Sequence, residues 1–235
     1  MYGVRSAQLG AIPPSVSIKC KILNFWCNLV TGEDEKMSRL MYDYLFKQFS
    51  RNIYRSPWLV YVQTLLGECG FLHIWESQSV GNVMWFKKAI KLRLEHQFKQ
   101  GWLGQVLHSA KCYNYRLYKE VFGFESYLIQ LPWQLRHFLC KFRTTNHKLA
   151  VEQGRYANVV RHQRFCNICN ERKLGDEYHF IMECVSLDDI RRTYLPRYIV
   201  RHRNTLAFTR LMTTSSVRTK TQLCRFIIEG MQRIV

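Results

Sequence analysis

The sequence predicts a mainly α protein, a helical bundle that carries a small cysteine–histidine module toward its C-terminus. Three observations predict it. Apolar residues recur at three- and four-residue intervals through most of the 235 positions, the pattern of helices that bury one face. Strand signals are sparse, apart from a short pairing expected around a group of cysteines. That group lies in "FCNICNERKLGDEYHFIMEC" at 165–184, where two cysteines, a histidine and a third cysteine fall within nineteen residues.

The elements follow in order. Over 15–31, Ile18, Ile22, Phe25, Trp26, Leu29 and Val30 share a face, and Gly32 ends the helix. A second helix is expected over 35–50 on Met37, Leu40, Met41, Tyr44, Leu45 and Phe49, with the acidic run 33–35 suiting its positive N-terminal end. Ser56 and Pro57 read as cap and first position of a third helix to about Gly67, with Gly70 closing the turn. Ser79 is expected to cap a longer segment, from about 82 to 100. There Val83, Phe86, Ile90, Leu94 and Phe98 form the apolar stripe, and Lys87, Lys88, Lys91, Arg93 and Lys99 occupy the remainder. This basic face is either a solvated exterior or a phosphate contact. Tyr113, Tyr115 and Tyr118, interleaved with Lys111, Arg116 and Lys119, are either core or platforms for unpaired bases. Pro132 opens a further helix through about Lys141. The expected division is a helical bundle over 1–150, a Cys/His module over 151–200, and a basic helical segment over 201–235.

Composition bounds the function. A chain of 28.2 kDa can bury one generous core, or a core and a small satellite. With 47% hydrophobic residues, intrinsic disorder is excluded. No apolar run approaches the roughly 18 to 20 residues that span a bilayer, and the N-terminus lacks the apolar stretch of a signal peptide, so an intracellular protein, nuclear or cytoplasmic and not secreted, is expected. Nine cysteines, an odd count without an export signal, favour reduced thiols or metal ligands over disulfides. Cys20, Cys27, Cys69, Cys112, Cys140 and Cys224 are expected to act as small buried hydrophobes.

The formal charge of +18 makes a polyanion the first expected partner. Residues 51–150 hold 14 basic and 5 acidic side chains, 151–200 hold 8 and 7, and 201–235 hold 7 and 1. The positive field is therefore strongest on either side of the cysteine group.

Cys166, Cys169, His179 and Cys184 read as C-x2-C-x9-H-x4-C. Two thiolates on a tight turn, followed by an imidazole and a third thiolate, supply the four N/S ligands that Zn²⁺ takes tetrahedrally. A four-ligand shell leaves no place for water, so a structural zinc is expected and catalytic hydrolysis is not. Three thiolates and one Zn²⁺ sum to about one negative charge, which Arg164, Arg172 and Lys173 are near enough in sequence to offset. Asp176 and Glu177 either orient the other ring nitrogen of His179 or form a solvated turn.

"FRTTNHKLAVEQGRY" (142–156), "RFCNICN" (164–170) and "GDEYHFIMEC" (175–184) resemble the C-terminal, post-polymerase region of the reverse transcriptase of animal non-LTR retrotransposons. "NFWCNLVTG", "GFLHIW", "LRLEHQFKQGW", "NYRLYKEVFGFESYL", "RRTYLP" and "LCRFI" resemble the same region, so the likeness runs through nearly the whole chain. It implies a helical segment following the thumb and a zinc module that grips element RNA or target DNA, with Cys166, Cys169, His179 and Cys184 as the metal ligands. The family's aromatic-x-Asp-Asp catalytic hairpin has no counterpart. The one Asp-Asp pair, Asp188 and Asp189, fits the first turn of a helix running through Arg192. No catalytic residue is expected.

The leading expectation is thus a non-catalytic nucleic-acid-binding fragment with weak sequence preference, gripping RNA or DNA through Arg161, Arg164, Arg191, Arg192, Arg197, Arg201 and Arg203. The alternatives are a protein-interaction module that packs on a polymerase domain through an exposed apolar face, motivated by Trp26, Trp58, Trp75, Trp85, Trp102 and Trp133, or a decayed relic without activity.

Overall fold

The computed structural model describes residues 8–234. Met1–Ala7 of the expected 1–150 bundle, and Val235, lie outside the described residues. The architecture is mainly α, as the periodicity predicts, with isolated β-bridges and no strand among the described residues. The chain divides into two compact units, one over 12–101 and one formed by the N-terminal segment with 102–235. The division falls inside a helix at 101/102, not at 150, and each unit has its own core.

The unit over 12–101 contains α1 (Pro14–Val30), α2 (Met37–Ser50), α3 (Pro57–Glu68), α4 (Leu72–Ser77) and the first part of α5 (Val83–His108). Pro14 and Pro57 start their helices where a missing N–H costs nothing. The acidic run 33–35 precedes α2 rather than entering its first turn. Asn82, not Ser79, caps α5, its Oδ1 accepting from Trp85 N at 2.9 Å. Trp26 stands at the centre: its Nε1 donates to Tyr42 Oη at 2.9 Å, and that hydroxyl donates to Gln78 Oε1. Trp75 and Phe86 close on the indole with centroids near 6 Å.

The expected stripe of α5 faces the core: Phe86, Ile90 and Leu94 are buried, and Val83 and Phe98 at its ends pack against them partly buried. The faces of α1 and α2 are as the spacing predicts only in part: Trp26, Val30 and Phe49 are buried, and Ile22, Leu29 and Leu45 pack against the core. Val16, Leu23, Trp26, Cys27 and Val30 line the core side of α1, while Ile18 and Phe25 face solvent. On α2 the core takes Tyr42 and Phe49 and leaves Met37, Leu40, Met41 and Tyr44 exposed.

The first described residue of the second unit is Gln8, whose amide donates to Tyr115 Oη at 2.9 Å and accepts from Tyr127 Oη. After the last part of α5 come two 3-10 turns, Ala110–Cys112 and Tyr115–Leu117, then α6 (Tyr127–Gln130), α7 (Trp133–Arg143) and α8 (Ala150–Tyr156). A π-helical turn at His179–Glu183 leads into α9 (Asp188–Tyr194), α10 (Arg197–Arg201), α11 (Thr205–Met212) and α12 (Val217–Gln232). α12 packs along α7 and α9. At its centre Phe180, on the π turn, meets Phe142 of α7 and Phe226 of α12 with centroids 5.7 and 5.5 Å away. Gly230 of α12 permits that approach, since a Cβ there would lie 2.6 Å from the Phe180 ring. Cys169 and Cys184 belong to this same core. Residues 151–200 are therefore no satellite: they share one apolar interior with α7 and with α12 of the expected C-terminal segment.

Candidate metal centre

The first two ligands sit on a short antiparallel turn. Phe165 bridges Leu174, Cys166 N donates to Lys173 O at 2.8 Å, and Gly175 N donates to Arg164 O at 2.9 Å. This is the pairing expected around the cysteines. Ile168 N points at Cys166 Sγ at 3.4 Å, a contact that favours the thiolate. Gly175 closes the turn so tightly that a Cβ there would meet Cys166 Cα at 2.8 Å and Ala150 Cβ at 2.9 Å.

The other two ligands come from the π turn. Asp176 Oδ1 accepts from His179 N at 3.0 Å and so caps its start. Cys184 N then donates back five residues to His179 O at 2.8 Å. In an α-helix, residues five apart point about 140° away from each other. The wider turn brings Cys184 back over His179, so both face the first two cysteines.

All four ligand atoms lie within 4.8 Å of one another. Bonds of about 2.3 Å to a tetrahedral ion need ligand atoms about 3.8 Å apart, so small side-chain adjustments suffice for the cluster to hold a metal ion. His179 presents Nε2, which stands 3.3 Å from Cys169 Sγ. Cys169, His179 and Cys184 are buried and Cys166 is half-buried.

Crowding shapes the protonation of the set. Cys184 donates to Cys166 and draws its thiol down to about 3 against the opposing pull of burial, while that same shared proton and burial drive Cys184 upward. Burial lowers His179, but its contacts with Cys166 and the Glu183 carboxylate outweigh it and leave the imidazole raised. Such a set binds a cation with release of protons.

The partner of the other ring nitrogen is Glu183, whose Oε2 is 3.3 Å from His179 Nδ1. Asp176 and Glu177, the residues singled out by sequence, do other work and are not a solvated turn. Besides capping the π turn, Asp176 pairs with Arg161 at 3.3 Å. Glu177 is buried against His147 Nε2 and Asn114 Nδ2, each at 2.7 Å. Burial pushes its carboxyl up, but these two partners prevail and hold it below the usual range. Glu183 was legible: four residues after His179, it falls on the same side of a helical turn.

Comparison with known families, characterised proteins and solved structures gives no match.

The seven arginines expected to contact nucleic acid do not form one surface. Arg191 is fully buried: its Nε donates to Ile181 O at 2.7 Å, its Nη2 donates to Cys184 O at 2.8 Å, and it pairs with Asp188. It holds the ligand loop and cannot reach a phosphate. Half-buried Arg164 donates through Nε and Nη1 to Val159 O and Val151 O at 2.9 and 2.8 Å, so two of its donors are used within the fold. Lys173 pairs with Glu171. Arg203 is bound to Asp188 at 3.0 Å. Arg192, Arg197 and Arg201 are exposed, and Arg161 is half-buried. Asp188 and Asp189 occupy the first turn of α9, as expected. Tyr115 and Tyr118 are core residues, whereas Tyr113 is exposed. No helix among the described residues is long and apolar enough to cross a membrane.

Proposed function

We propose that this chain is a zinc-stabilised, non-catalytic nucleic-acid-binding segment, the counterpart of the post-polymerase region of a non-LTR retrotransposon reverse transcriptase. The observation that carries the reading is the convergence of Cys166, Cys169, His179 and Cys184 in a chain of charge +18. Three thiolates and an imidazole, gathered around one centre, favour Zn²⁺ over the hard oxygen-seeking cations. Once all four are bound the shell is closed to water, which suits a structural role. The excess of Lys and Arg supplies phosphate contacts whose counterion release gives affinity without base specificity.

The test combines metal analysis of the purified protein with RNA and DNA binding titrated over salt, using Cys166→Ser as control. The expected result is about one zinc per chain and an affinity that falls roughly 10³-fold or more between 50 and 200 mM salt if six or more phosphates are contacted. Cys166→Ser should lose both metal and binding. An affinity indifferent to salt would reject the reading.

A second reading is favoured by one observation. Met37, Leu40, Met41 and Tyr44 form an exposed apolar stripe on α2, of the kind a protein partner such as a polymerase domain covers. Trp85 and Trp133 are also exposed, whereas Trp26, Trp75 and Trp102 are core.

A further inference from the structure

An exposed strip of tyrosines and guanidinium groups runs up to the metal centre in the second unit. Tyr113 lies between the two 3-10 turns and is 46% exposed, and the guanidinium carbons of Arg116 and Arg161 each stand 4.4 Å from its ring centroid. Tyr156, the last residue of α8, is 69% exposed with Arg155 at 4.3 Å. Buried Glu152 joins the two places: it accepts from Arg155 Nη2 at 3.0 Å and pairs with Lys111 Nζ at 3.7 Å. Lys111 lies two residues before Tyr113.

We propose that this strip binds unpaired nucleotides, with bases stacking on Tyr113 and Tyr156 and phosphates held by Arg116, Arg155 and Arg161. The proposal rests on the nucleic-acid reading above and adds to it the ligand class and the place. Exposed rings whose faces now carry guanidinium groups suit a single strand, because a base can take the place of the guanidinium on the ring while the displaced donor turns to the phosphate. A duplex hides its base faces in the stack and cannot use the rings. The location also ties binding to the metal. Arg161 is held by Asp176 at 3.3 Å, and the same carboxylate caps the turn that carries His179. The loss of the ion loosens that turn and with it one wall of the strip.

The test uses the full chain with zinc bound, fluorescein-labelled oligothymidylate and oligouridylate, and a mixed-sequence DNA duplex. The variants are Tyr113→Ala/Tyr156→Ala and the conservative Tyr113→Phe/Tyr156→Phe. The rings are exposed, so the alanine variant should keep wild-type metal content and circular dichroism. It should lose at least about 5-fold in single-strand affinity for each ring, with the salt slope and duplex affinity unchanged, and the phenylalanine variant should bind as wild type. Single-strand binding unaffected by the alanines, or an equal loss for single strand and duplex, overturns the strip while leaving nucleic-acid binding in place. A wild-type protein that binds none of the three probes at low salt overturns the broader reading, and the strip with it.

Discussion

At the level of single residues, Arg191 shows how far charge and role can diverge. By sequence it is one of a pair of arginines in a basic protein, equal to Arg192 beside it. In the fold its guanidinium is sealed, donating to the carbonyls of Ile181 and Cys184 and pairing with Asp188. Burial lowers its pKa, with Asp188 opposing. Its removal leaves two buried carbonyls without their donor and Asp188 with Arg203 in place of two guanidinium partners, so Arg191→Met should cost about 3–5 kcal/mol of unfolding free energy. The exposed Arg192→Met should stay within about 0.5 kcal/mol. Denaturant midpoints for the two variants check this, and equal midpoints would show that the buried guanidinium is not what holds the ligand loop. Arg191→Lys should fall near the methionine variant, since an ammonium cannot span the fork. The four candidate metal ligands were legible because residue type and spacing carry the chemistry. Arg191 was not, because a formal charge is the same whether it meets water or a carbonyl.

At the level of elements, helices were legible and their orientation less so. Spacing finds α1 because its apolar residues are helically arranged, but they surround most of the helix, and the buried face is turned about a quarter of the circumference from the expected one. Trp26 packs inside as expected, against Trp75 and Phe86, but Val16 and Leu23 are buried beside it while Ile18 and Phe25 are left exposed, a tertiary choice that no window of α1 contains. The metal-bearing turn is constrained in another way. Gly175 occupies a place where backbone and side chain meet from two sides: a methyl group added there would stand 2.8 Å from Cys166 Cα and 2.9 Å from Ala150 Cβ. Gly175→Ala should force the Cys166 turn away from α8, costing about 1–3 kcal/mol and weakening metal affinity, since one ligand is displaced from the other three. Competition with a chromophoric chelator reads the affinity directly. Gly101→Ala, in α5 with open space around its Cβ, should be neutral or stabilising by up to about 1 kcal/mol. Equal zinc affinity in both variants would mean that the turn has slack the packing distances deny.

At the level of the whole molecule, the candidate metal ligands belong to one core and not to the other. Cys166, Cys169, His179 and Cys184 all lie in the unit formed with 102–235, where Cys169 and Cys184 pack among Phe142, Phe180 and Phe226. The unit over 12–101 contains none of the four, and its interior is closed by Trp26, Trp75, Phe86 and their aliphatic neighbours. Metal affinity in a site of this kind is also folding free energy, so chelation should destabilise the ligand-bearing unit and spare the other. Acid acts in the same direction, because protons compete with the ion for three thiolates. Hydrogen exchange followed by mass spectrometry is the suitable measurement: after EDTA treatment, amides of α7, α9 and α12 should lose protection while those of α1 and α3 keep theirs. Readdition of Zn²⁺ should restore the first set. Simultaneous loss of protection in both groups would mean that the two cores fold as a single cooperative body and that the ion stabilises all of it. Unchanged protection in α12 would mean that the aromatic packing around Phe180 holds the unit together without the metal.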